Sequence, residues 1–106
     1  AILDTGSPVT CMDFQAFASL GLLPSGHTSV LTPGTGAALV PCDEYDVSLT
    51  ILHPSGNRAL DRTLGTVTVA DLPLAATGIP ALIGWDLLHR WVFHCDGPAG
   101  IFSLDY

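Results

Sequence analysis

Apolar and polar residues alternate along two long stretches of this chain. From Tyr45 to Leu52, the residues Tyr45, Val47, Leu49 and Ile51 fall on one face, with Asp46, Ser48 and Thr50 on the other. That two-residue period predicts a half-buried strand. A second alternation runs from Arg58 to Ala70 and sets Leu64, Thr66 and Thr68 against Gly65, Val67 and Val69. Thr28 to Thr32 is β-prone, Pro33-Gly34-Thr35-Gly36 is a turn by composition, and Ala37 to Val40 returns. Residues 28–52 therefore predict a long hairpin. Ala1-Ile2-Leu3, Val9 to Met12, Ala81-Leu82-Ile83, Val92 to Cys95 and Ile101 to Leu104 read as short strands between turns. Two segments carry helical signals instead. Asp13 suits an N-cap, Leu20 ends the apolar pattern and Gly21 suits a left-handed stop. Trp85 to Trp91 sets Leu87, Leu88 and Trp91 on one stripe.

Composition makes this one small domain spanning 1–106. The chain has 11 Gly and 8 Pro among 106 residues, so turns are frequent and elements short. The fold class is mainly β with one or two short helices, a small barrel or sandwich. A domain this small buries only about two-thirds of its unfolded surface, which raises the question of a partner subunit.

Charge narrows the partners. Three Arg and no Lys stand against ten acidic residues, a net charge of −7. Nucleic acid needs clustered cations to neutralise phosphates, so it is not an expected partner. Anionic membrane surfaces are disfavoured for the same reason, and no apolar run is long enough to span a bilayer. Cys11, Cys42 and Cys95 are odd in number and widely spaced, with no CxxC, and the four His show no ligand spacing. No metal and no cofactor is expected. The thiols read as reduced and largely buried, which leans towards a cytoplasmic setting.

One motif carries chemistry. Asp4-Thr5-Gly6-Ser7 follows the apolar Ala1-Ile2-Leu3, and Ala81-Leu82-Ile83-Gly84 comes later with a helix after it. Pro33-Gly34-Thr35-Gly36 lies between them. In this order and spacing the pieces resemble the retropepsin-like aspartic proteases. In that family a hydrophobic-Asp-Thr-Gly loop, a flap hairpin and a hydrophobic-hydrophobic-Gly strand recur. The tail, from Gly84-Trp85-Asp86-Leu87-Leu88 to Ile101-Phe102-Ser103-Leu104, looks like the cellular and bacterial branch. The resemblance spans the chain and implies a small closed β-barrel with a flap. It also implies that roughly the first two strands of the domain precede Ala1.

The resemblance further implies an aspartic endopeptidase acting on peptide or protein substrate. Two carboxylates close together cannot both ionise, so the pair shares a proton and divides base and acid roles. One chain holds one such loop, so the dyad implies a homodimer with Asp4 from each subunit. By the same resemblance, Thr5 would bond across the dimer, and Gly6 would let the loop bend and offer its carbonyl to substrate. The Ser7 hydroxyl would donate to the carboxylate, which implies an acidic optimum. Gly34, Thr35 and Gly36 would form the flap tip. Ile2, Ser7, Val9, Cys11, Ile79, Pro80 and Leu82 would line substrate, favouring apolar residues at the scissile bond. Pro8 and Trp85 stand where viral members carry an ion pair, so dimer contacts must differ, with Trp85 packing as one source. The alternative keeps the fold without catalysis: an inactive dimerisation or peptide-binding module of a longer protein.

Outside the motif, ordinary roles suffice. Asp13 reads as an N-cap and Asp86 as a first-turn carboxylate facing a helix dipole. Asp43, Glu44 and Asp46 read as a solvated hairpin face without calcium-loop spacing.

Overall fold

The computed structural model describes residues 1–31 and 38–105, and the expected flap tip (Gly34, Thr35, Gly36) lies outside them. The described chain is mainly β. In chain order the elements are β1 (Ile2–Leu3), β2 (Cys11–Asp13), α1 (Phe14–Leu20), β3 (Gly26–Leu31), β4 (Leu39–Ile51), β5 (Arg62–Leu72), β6 (Ala81–Ile83), α2 (Trp85–Leu88), β7 (Val92–Asp96) and β8 (Ile101–Asp105). Single 3-10 turns occupy Arg58–Leu60 and Ala75–Thr77. None of the described helices is long and apolar enough to cross a membrane.

Six strands form one sheet in the order β1-β6-β2-β5-β4-β3, while β7 and β8 pair separately. This order is open, with β1 and β3 at its edges, so the closure expected of a barrel is not shown among the described residues. Two of its pairings are parallel. β1 lies parallel to β6, and β2 lies parallel to β5 while running antiparallel to β6 on its other side.

The alternation in β4 holds: Tyr45, Val47, Leu49 and Ile51 turn inward and Asp46, Ser48 and Thr50 face solvent. β4 is longer than its pattern suggested, because Pro41 to Glu44 continue the strand, paired with β3 from Gly26 to Leu31. In β5 the expected faces are overturned. Val47 pairs with Val67 but Leu49 pairs with Leu64. A step of two residues on β4 thus meets three on β5. This bulge at Gly65-Thr66 flips the parity of the strand. Leu64 therefore joins Val67 and Val69 on the buried face, and Thr66 and Thr68 stay exposed.

Each face of the sheet has its own core. On one, Phe17, Tyr45, Val67, Val69 and Leu87 are buried together, with Ile83 and Trp91 packed against them. The Phe17 and Tyr45 rings stack at 4.0 Å and 5°. Both helices cover this face. On the other, Cys11, Val30, Cys42 and Ala70 pack with Val9, Val40, Leu72 and Leu74. Here β3 and β4 themselves contribute Val30, Val40 and Cys42.

The helix signals translate well. The Asp13 carboxylate accepts the Gln15 N–H at 3.0 Å, and Gly21 takes φ 67° at the end of α1. The other Asp13 oxygen accepts the Ala75 N–H at 2.7 Å, which ties the 3-10 turn to the helix start. α2 is shorter than expected, ending at Leu88, although Leu87 and Leu88 are buried as its stripe requires. Among the cysteines, Cys11 and Cys42 are buried but Cys95 is exposed on β7, contrary to the expectation for all three.

Candidate active site

The Asp4 loop crosses from β1 to β2 over the start of α2. Asp4 donates its N–H to the Ile83 carbonyl at 2.9 Å, and Trp85 donates its N–H to the Ser7 carbonyl at 2.7 Å. Within the loop, Ser7 N–H bonds the Asp4 carbonyl at 3.2 Å and Gly6 N–H bonds Asp4 Oδ1 at 2.9 Å. The carboxylate is thus held by a backbone donor through one oxygen. Oδ2 has no partner among the described residues, and the side chain is part-exposed.

Two glycines make this geometry possible by lacking a Cβ. A Cβ on Gly6 would stand 3.2 Å from Asp4 Oδ1, crowding the bond that orients the carboxylate. A Cβ on Gly84 would lie 2.4 Å from the Val9 carbonyl oxygen and 3.0 Å from that of Ser7. Backbone atoms cannot yield such space, so Gly84 is required where the loop rests on β6 and α2. This accounts physically for a glycine after the apolar Leu82-Ile83.

Thr5 and Gly6 are exposed, and Thr5 has no partner for its side chain among the described residues. Ser7 departs from expectation. Its hydroxyl donates to the Val9 carbonyl at 2.8 Å rather than to Asp4. The hydroxyl proton is committed to the backbone, so the argument for an acidic optimum through Ser7 fails.

The register gathers several of the expected substrate residues. Ile2 sits opposite Leu82, and Leu82 opposite Cys11. Residues in register share a face, so these three lie in one row, with Val9 packed on the same side. Cys11 is only 2% exposed, which leaves it beneath the row with no surface to offer a substrate. Burial first, then the neighbouring charges of Cys42, Asp86 and Asp71, push its thiol up to about 11. Cys42 is raised in the same direction, mainly by burial. Ile79 and Pro80 are not in the row. They precede β6 and line a shallow depression of about 260 Å³ with Asp13, Gln15 and Ala75. Another depression of about 290 Å³ lies near His27, Cys42 and Asp71. Neither includes Asp4.

Two residues beside the site escaped the sequence reading in part. Thr10 is 3% exposed and bonds Asp86 through both its N–H and its hydroxyl. The available signal was a hydroxyl within the apolar run Val9 to Met12. Asp86 matches its expected place in the first turn of α2, but its partner across 76 positions was not foreseen. Of the acidic cluster, Asp43 pairs with exposed His27 at 2.7 Å, and Asp46 accepts from Thr68 at 2.8 Å. No group of three or more His, Cys, Asp or Glu among the described residues could hold a metal ion.

Protein-family models, curated proteins and solved structures were all compared with the chain, and none of them matches it.

Proposed function

We propose that the chain is one half of an aspartic endopeptidase of retropepsin-like type, with Asp4 from two copies forming the catalytic dyad. One observation carries the reading. A single Asp-Thr-Gly loop holds a part-exposed carboxylate, with Oδ1 fixed by Gly6 N–H and Oδ2 without a partner among the described residues. A lone carboxylate in that position cannot serve as base and acid at once.

Two facing copies could. One Asp4 carboxylate takes a proton from a water lying between the two, and the water oxygen adds to the peptide carbonyl carbon. The other, protonated, Asp4 donates to the carbonyl oxygen. Collapse of the tetrahedral intermediate breaks the C–N bond: the Asp4 protonated by the water gives its proton to the leaving nitrogen, and the ionised Asp4 takes a hydroxyl proton back as the carbonyl re-forms. Exposed Thr5 is free to bond its counterpart, and Gly6 can present its carbonyl to an extended substrate. The row of Ile2, Leu82 and Val9 favours apolar side chains near the scissile bond. The expected barrel closure and a flap formed by Gly34, Thr35 and Gly36 belong to the same proposal.

The test is cleavage of a peptide library by the wild-type protein and by Asp4→Asn. Because both members of the dyad are Asp4, Asp4→Asn removes the acid and the base together and should lower turnover by at least about 100- to 10,000-fold. Cleavage that persists in Asp4→Asn contradicts the mechanism. A wild-type dimer that binds peptides without cleaving them would support the inactive-module alternative instead.

A further inference from the structure

Both ends of the Asp4 loop hang on the same four residues. Asp4 N–H bonds Ile83, Trp85 N–H bonds Ser7, and Gly84 N–H bonds the Thr10 hydroxyl oxygen at 3.0 Å. That hydroxyl in turn donates to Asp86 Oδ1 at 2.7 Å, and Thr10 N–H donates to Asp86 Oδ2 at 3.0 Å. Asp86 Oδ1 also accepts the Leu87 N–H at 2.9 Å. Ile83 to Asp86 form a seat, and Thr10 with Asp86 is its side-chain latch.

From this arrangement we infer that Thr10 and Asp86 are positioning residues for Asp4. They fix where the loop stands relative to the partner copy's loop, and they touch neither substrate nor reacting atoms. The inference rests on the dyad reading above. Three facts separate the latch from ordinary packing. The loop's own bonds, Gly6 to Asp4 and Ser7 to Asp4, set its internal shape but do not attach it to the sheet. The Thr10 hydroxyl is used twice, as donor to Asp86 and acceptor from Gly84, so its removal orphans the buried Gly84 N–H and takes from Asp86 Oδ1 one of its two donors. Thr10 also continues directly from Val9, whose carbonyl rests against Gly84 and receives the Ser7 hydroxyl. A shift at Thr10 therefore travels through Val9 to Ser7 and on to Asp4. A dyad astride a two-fold axis doubles any such displacement, because both copies move.

The experiment compares wild type with Thr10→Val, Thr10→Ser and Asp86→Asn in two ways. The first is steady-state cleavage of a fluorogenic peptide with apolar residues flanking the scissile bond, corrected for folded fraction. The second is amide hydrogen exchange, followed at Asp4 and Trp85 with Val67 and Val69 as core references. Thr10→Val is expected to lower kcat on the order of 10- to 100-fold, the cost of misplaced reacting groups, with KM nearly unchanged. Its Asp4 and Trp85 amides should exchange roughly tenfold faster while the core amides keep their rates. Thr10→Ser retains the hydroxyl and should restore both. Asp86→Asn turns an acceptor towards the Thr10 N–H into an amide and should behave like Thr10→Val. The inference is overturned if Asp4 and Trp85 exchange at the wild-type rate in Thr10→Val. It is equally overturned if every amide speeds up alike and kcat falls only with the folded fraction. Exchange needs no substrate. A wild-type protein that cleaves nothing would sink the peptidase reading and still let the exchange result decide the latch.

Discussion

The Asp4 loop and the β7–β8 pair are both exposed, yet they are held in opposite ways. The loop is short and irregular, but bonds to Ile83, Trp85 and, through Thr10, Gly84 and Asp86 fasten both its ends. The β7–β8 pair is regular, with five register pairs from Val92↔Asp105 to Asp96↔Ile101, but it joins no other strand among the described residues. By register, Phe93, Cys95, Phe102 and Leu104 share one face of it. Phe102 is 61% exposed there, and the Phe93 and Phe102 rings meet at 6.2 Å. A two-stranded sheet alone is marginal in water. Position in this molecule is thus set by a few polar bonds at the loop and by little beyond backbone pairing at the hairpin. Regular secondary structure is a poor guide to which part is fastened to the rest of the fold.

Substitutions can break that contrast. The largest effect on stability is expected at the seat. Gly84→Ala drives a methyl into the Val9 carbonyl, 2.4 Å away, and should destabilise the fold by about 3 kcal/mol or more. Thermal or urea unfolding measures it, and a loss below about 1 kcal/mol would mean that the seat is softer than its contacts indicate.

Alkaline pH comes next. Burial raises the Cys11 thiol to about 11 from a usual value near 9.0. The folded chain keeps this proton after the unfolded chain has lost it, so stability is intact below about pH 9 and falls as pH rises towards 11. About two units amount to roughly 2–3 kcal/mol, and Cys11→Ser should flatten the slope. A denaturant midpoint constant from pH 8 to 11 would contradict the buried placement of Cys11.

The smallest effect is expected at the hairpin. Phe102→Ser should change stability by no more than about 0.5 kcal/mol, since its ring is mostly in solvent. A larger loss that grows with protein concentration would show that another copy covers this face.

The sequence and the structure agree where a side chain's role is decided locally. Asp13 and Gly21 bracket α1 through a carboxylate bond and a left-handed φ, both encoded within a few residues. The face of β4 follows from alternation alone. Agreement ends where a second strand decides. The β5 bulge depends on how β4 meets it, so Leu64 was assigned to the wrong face. Pro41 to Glu44 show no apolar–polar alternation of their own but gain partners from β3. At the site, Asp4, Gly6 and Gly84 were legible because a motif demands them. The direction of the Ser7 hydroxyl was not, since a carboxylate and a backbone carbonyl are both acceptors near it in sequence and only the folded loop shows that the Val9 carbonyl takes the proton. Thr10 and Asp86 stand far apart in the chain, and only the fold makes them neighbours.

The central claim is that each chain supplies half of an active site. It is tested most directly by mixing wild-type and Asp4→Asn protein and allowing subunits to exchange. At equal amounts, a shared dyad leaves only wild-type pairs active, about a quarter of all dimers, so activity per total dimer falls to about a quarter of the wild-type value. Activity that stays at about half, in proportion to the wild-type chains present, would show that each chain works alone and would contradict the account.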